Sequence, residues 1–140
     1  KEKEFNLIVI CGVGPFGHTN VKEYDLNNGI KTKKQEEGTE KTIKDCDFVA
    51  DKVIDALEKQ KIKTRHVPGY WVCKQDNKKV IAYEIEEYEK ALHGGEVPIT
   101  TGIMVKDRTL KWSVMSGDTA IAQIIKQMKP QKIILIYASR

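Results

Sequence analysis

Residues 5–11, FNLIVIC, form an unbroken apolar, β-rich run with charge before it and glycine after it, the pattern of a strand covered on both faces. The run predicts a central strand. The glycine-rich turn that follows leads to a short helical piece over 19–26, for which Thr19 or Asn20 would serve as N-cap. Residues 27–38 are polar and lysine-rich and predict a mobile loop. Between 39 and 60, Ile43, Cys46, Val49, Val53, Ile54 and Leu57 recur at helical spacing opposite Lys44, Asp51, Asp55 and Glu58, so this stretch predicts an amphipathic helix.

The alternation then changes period. Residues 61–67 (KIKTRHV) predict a strand stopped by Pro68-Gly69, and residues 70–73 and 80–83 predict a small hairpin around Gln75-Asp76-Asn77. An acidic helix over 84–93, ended by Gly94-Gly95, precedes a covered strand at 97–100. Residues 103–105 and 111–115 flank Asp107-Arg108-Thr109 as a second hairpin, Ser116 opens a helix to about Met128, and 132–137 (KIILIY) read as a last strand. Strands alternating with helices predict an α/β, three-layer αβα sandwich with a mostly parallel central sheet. Ligands in such folds bind where loops leave the carboxyl ends of the strands.

Composition narrows the functional classes. The length of 140 residues suits one domain, and no apolar run approaches the roughly 20 residues of a membrane helix. The start, Lys1-Glu2-Lys3-Glu4, lacks a signal peptide's apolar stretch, which makes the cytoplasm the expected compartment. The net charge of +4 comes from lysines scattered among glutamates, without the aromatic-interleaved basic block that tracks nucleic acid. Cys11, Cys46 and Cys73 are odd in number and far apart, so the thiols are read as reduced and buried.

Two turns carry the candidate chemistry. Gly12-Val13-Gly14-Pro15-Phe16-Gly17-His18 lies between a buried strand and a helix, where backbone N–H groups and a helix N-terminus converge on an anion. His18 adds a side-chain donor. The same glycines also suit a plain tight connection, and the Rossmann and lysine-bearing P-loop patterns are both unmatched. Ser116-Gly117-Asp118 opens the last helix, as an N-cap with a carboxylate in its first turn or as a second functional turn. His66 and His93 have no partner at metal-ligand spacing, and Tyr70, Trp71 and Trp112 serve packing as readily as a cavity.

In order and spacing, the apolar strand, the GxGxFGH turn, the VP strand with Gly102, the SGD turn at Ser116-Gly117-Asp118 and the KIILIY strand resemble the amino acid kinase superfamily. Within it they are most similar to the isopentenyl phosphate kinase branch. A related branch, the fosfomycin-resistance kinases, shares the turn ending in FGH and a hairpin similar to Leu110-Lys111-Trp112. The resemblance implies an ATP- and Mg2+-dependent phosphotransferase, a homodimer, that converts a small phosphorylated substrate, isopentenyl phosphate foremost, to its diphosphate. It assigns phosphate binding to Gly12, Gly14, Gly17, His18, Gly102, Ser116 and Gly117, the nucleotide's phosphate to the position of Val13, and a catalytic organising role to Asp118. A fosfomycin-type or other small phosphate or phosphonate kinase, and a non-catalytic anion-binding module or fragment, are the alternatives.

Departures from the family pattern bear on the substrate. Val13 stands where the family has a second loop glycine, and Thr101-Gly102-Ile103 stands where the branch has HGD. The resemblance also implies a partial domain, because the family's KxGGS lysine would precede Lys1 and its nucleotide-binding half would follow Tyr137.

Overall fold

The computed structural model describes residues 6–136. The chain runs β1 (Val9–Cys11), α1 (Pro15–Glu23), α2 (Lys33–Lys59), β2 (Thr64–His66), α3 (Gly69–Val72), β3 (Cys73–Asp76), β4 (Lys79–Tyr83), α4 (Glu86–His93), β5 (Val97–Thr101), β6 (Ile103–Asp107), β7 (Lys111–Met115) and α5 (Gly117–Met128). β1, β5 and β2 form a parallel sheet in the order β1-β5-β2. β4, β3, β6 and β7 form a second sheet in that order, antiparallel except where β3 meets β6.

The period of two along β5 shows how helices cover both faces of the parallel sheet. Ile99 is in register with His66, which faces Asp47 of α2. The next residue, Thr100, lies beside Tyr88 of α4 and is in register with Ile10, which reaches Gly117 at the start of α5. Adjacent residues of a strand point to opposite faces, so α2 covers one side and α4 and α5 the other. This is the α/β layering predicted from the alternation.

Several elements depart from the pattern-based expectation. β5 is the middle strand of the described sheet and β1 lies at its edge, because apolar composition reports cover and leaves pairing order open. α1 starts at Pro15 with Gly14 as its N-cap, which puts Thr19 and Asn20 inside the helix. Proline suits a first helical position, whose amide needs no partner. The predicted loop at 27–38 shrinks because α2 begins at Lys33: the Gln35 amide donates to Thr32 Oγ1 and the Thr32 amide to Gln35 Oε1, both at 3.1 Å. This reciprocal capping box offsets the polar composition.

The first hairpin is shifted. Residues 69–72 form the short α3, and the turn falls on Asn77 and Lys78, both left-handed at φ 48° and 71° as a two-residue hairpin turn requires. Of the predicted strand at 132–137, residues 132–136 belong to no strand and Ile133, Ile134, Leu135 and Ile136 are exposed. Tyr137 lies outside the described residues, as does Phe5. An apolar run becomes a strand only against a neighbour, which no described residue supplies here.

Asp107 ties the two hairpins together. Its carboxylate accepts from the amides of Asn77, Lys78, Thr109 and Leu110 at 2.9 Å and from Ser113 Oγ at 2.7 Å. Burial opposes the charge, but Ser113 and the backbone donors outweigh it and hold the carboxyl well below the usual carboxylate range.

Candidate functional site

The glycine turn folds as its residues dictate. Gly14 adopts φ 49° and ψ −133°, a conformation that a Cβ makes costly, and from there the chain enters α1. Val13 O accepts from the Phe16 amide at 3.1 Å, and Gly14 O accepts from the Gly17 and His18 amides at 3.2 and 3.1 Å. Among the described residues no backbone carbonyl accepts from the amides of Gly12, Val13 or Gly14. Three successive donors are thus left at the mouth of β1, beside the positive end of α1. His18 stands exposed on the same helix.

The Val13 side chain lines the cleft and packs against α1. Its Cγ2 lies 2.6 Å from where a Cβ on Gly17 would stand, with Cys46 Sγ at 3.4 Å. Gly17 is therefore set by the close approach of α1 to Val13 and α2.

The opposite wall is formed by the start of α5. Ser116 is its N-cap, with Oγ accepting from the Thr119 amide at 3.2 Å, as the sequence predicts. A Cβ on Gly102 would stand 2.5 Å from Gly117 N and 2.9 Å from Met115 O, so only glycine lets the β5–β6 connection pass this backbone. Gly117 is different. A Cβ there would meet nothing nearer than Ile10 Cγ2 at 3.9 Å. At Gly12 it would meet nothing within 4 Å, and neither Gly12 nor Gly117 has a left-handed φ.

These walls enclose one cleft of about 330 Å³. Gly12, Val13, Gly14, Gly17, His18, Gly102, Ser116, Gly117 and Asp118, which the sequence singles out from three distant segments, all line it. Asp118 lies in the first turn of α5. A larger hollow of about 430 Å³ beside Trp71, Glu84, Glu86, Glu87 and Lys90 contains none of these residues, and surface carboxylates make it unsuited to an anion.

The sequence reading missed the floor of the cleft. Val21, Thr42, Cys46, Ile103, Met104, Val114 and Met115 complete the lining. Thr42 Oγ1 donates to Gly38 O at 2.7 Å within its own helix, so its hydroxyl is already engaged. Burial, with Asp47 and Asp45 nearby, pushes the Cys46 thiol up to about 12, which leaves it protonated at neutral pH. The cleft thus joins a rim of backbone amides, His18 and Asp118 to an apolar floor. Thr42 and Cys46 sit in the apolar stripe of α2 and are indistinguishable there from ordinary core positions.

Known proteins resemble this chain in sequence and in fold. The chain is 26% identical over 150 residues to isopentenyl phosphate kinase of Arabidopsis thaliana, covering 97% of this chain and 42% of that protein. It is 26% identical over 136 residues to isopentenyl phosphate kinase of Methanothermobacter thermautotrophicus, covering 93% and 51%. A solved isopentenyl phosphate kinase superposes with a TM-score of 0.83 at 26% identity, over 91% of this chain and 53% of that one. The product complex of the T. acidophilum isopentenyl phosphate kinase gives 0.77 at 22% identity, over 89% and 50%, a likeness of fold. The chain spans about half the length of these relatives. The model of the amino acid kinase family matches residues 1–138, and with the shared fold this establishes that the chain belongs to that family.

Proposed function

We propose that the protein containing this chain is an ATP-dependent kinase that phosphorylates isopentenyl phosphate to the diphosphate. The observation that carries this reading is the two-part cleft, with anion-binding donors at its rim and an apolar floor sized for a short hydrocarbon tail. The named relatives are isopentenyl phosphate kinases, which supports the same substrate. His18 contacts the substrate's phosphate, and the floor formed by Ile103, Met104, Val114 and Met115 takes the tail. A fosfomycin-type acceptor, small and without an alkyl tail, would leave that floor unfilled.

ATP supplies the transferred phosphoryl group when bound. Gly12 and Gly117 fit close approach of the acceptor phosphate that receives this group, since a Cβ at either would project into space that no protein atom requires. Among the described residues Asp118 is the sole carboxylate lining the cleft, and no three His, Cys, Asp or Glu are grouped to hold a metal. Mg2+ would accordingly be held chiefly by the nucleotide's phosphates and water. Among the described residues no Lys or Arg lines the cleft; in this reading Asp118 orients cations that neutralise the transferring phosphoryl, in a reaction governed by positioning and electrostatics.

The test is an assay of the full-length protein with ATP and Mg2+, offering isopentenyl phosphate and fosfomycin as competing acceptors and following products by phosphorus NMR. Isopentenyl diphosphate should dominate. Preferential phosphorylation of fosfomycin, or of neither, would overturn the reading.

A further inference from the structure

α1 follows the glycine turn and carries His18, and apolar contacts anchor it in part: Phe16 packs on Phe48 of α2 with ring centroids 6.1 Å apart, and Val21 is partly buried against the cluster of Leu26, Ile30 and Met104. The buried residues of α1 are Gly17 and Asn20. Gly17 has no side chain to pack, and Asn20, only 5% exposed, is the buried polar side chain through which the helix meets α2. Asn20 Nδ2 donates to Asp45 Oδ2 of α2 at 2.7 Å and to Phe16 O at 3.3 Å. Asn20 Oδ1 accepts from Lys41 Nζ at 3.5 Å, and Lys41 Nζ also donates to Asp45 Oδ2 at 2.7 Å. The orientation of the amide follows from its partners, with two acceptors on the nitrogen side and an ammonium on the oxygen side.

We infer that Asn20 is a positioning residue, which through Asp45 and Lys41 fixes α1 on α2 so that the Gly12–Gly14 amides and His18 converge on one phosphate. The inference rests on the proposed phosphate role of the Gly12–His18 turn. Asn20 lies two residues beyond His18, and the apolar contacts around it, Phe16 on Phe48, Val21 on the core and Gly17 against Val13 and Cys46, carry no directional bond. A polar pin has a single geometry where an apolar face has many. Lys41 and then Asn20 stabilise the Asp45 carboxylate, which keeps it charged and accepting well below neutral pH.

The experiment measures dissociation constants of isopentenyl phosphate and of isopentenol on the full-length protein by calorimetry. Asn20→Asp places two carboxylates face to face and should weaken isopentenyl phosphate at least about tenfold, as loss of a charge-assisted hydrogen bond and its geometry does. Isopentenol binding should hardly change. The exchange Asn20→Asp with Asp45→Asn restores a carboxylate–amide bond in reverse and should recover most of the affinity. Lys41→Met, which removes only the outer brace, covers the case in which Asn20→Asp fails to fold, and should weaken isopentenyl phosphate by a smaller factor, again sparing the alcohol. Equal loss for both ligands, or undiminished phosphate affinity in the folded variants, would overturn the inference. Absence of isopentenyl phosphate binding in the unmodified protein would instead overturn the function proposed for the cleft.

Discussion

The five glycines of the cleft separate by the reason each is glycine. Gly14 answers to backbone conformation, and Gly17 and Gly102 to close packing. Gly12 and Gly117 answer to neither. Gly102→Ala should therefore cost about 1–3 kcal/mol, because the backbone that it meets cannot yield as a side-chain tip can. Gly12→Ala should change stability by no more than about 0.5 kcal/mol while weakening phosphate binding at least severalfold. Urea unfolding and phosphate titration of both variants check the contrast. His18→Ala should weaken isopentenyl phosphate by about 1–3 kcal/mol and leave isopentenol nearly unaffected, as measured by calorimetry. The rim was legible in the sequence because glycines clustered between a strand and a helix, and a serine at a helix start, are local signals. The floor was not, because Thr42 and Cys46 look the same whether a helix stripe faces core or cavity.

Elements were legible where local chemistry fixed them. Ser116 marks the start of α5, and the hairpin of β6 and β7 follows its alternation. The starts of α1 and α2 were obscured by a proline at a first helical position and by a polar capping box. At the head of α5, Asp118→Asn keeps the size and removes the charge that favours the helix dipole, a small contribution, so stability should fall by at most about 1 kcal/mol. Turnover should nevertheless fall about a hundredfold, a barrier rise near 3 kcal/mol, as measured by steady-state kinetics beside a thermal melt. Near-normal turnover would reduce Asp118 to a helix-end residue. Between the hairpins, the depressed folded-state pKa of Asp107 makes its stabilisation complete above the unfolded value of about 3.9 and lost as pH falls through the folded one. The urea midpoint should thus drop on acidification below about pH 4. Asp107→Asn should flatten that dependence and cost about 2–4 kcal/mol at neutral pH, since two hairpin turns lose donor partners.

At the scale of the molecule, parallel topology brings the three segments together. β1 and β5 run side by side in parallel, so the turn after Cys11 and the connection through Gly102 leave the sheet at the same carboxyl end, where α5 also begins. That convergence was implicit in the alternation of strands and helices. Pairing order was not: the apolar run at 132–136 met the pattern of a strand without a described neighbour. The central claim is that the Gly12–His18 turn and the α5 start hold the phosphate of one substrate. It is tested most directly by titrating the full-length protein, labelled with nitrogen isotope at glycine, with isopentenyl phosphate and with isopentenol. The account predicts that the amide signals of Gly12, Gly14 and Gly117 shift together and saturate with the phosphate ester alone. Saturable binding that leaves these amides unmoved, or the same shifts with the alcohol, would contradict it.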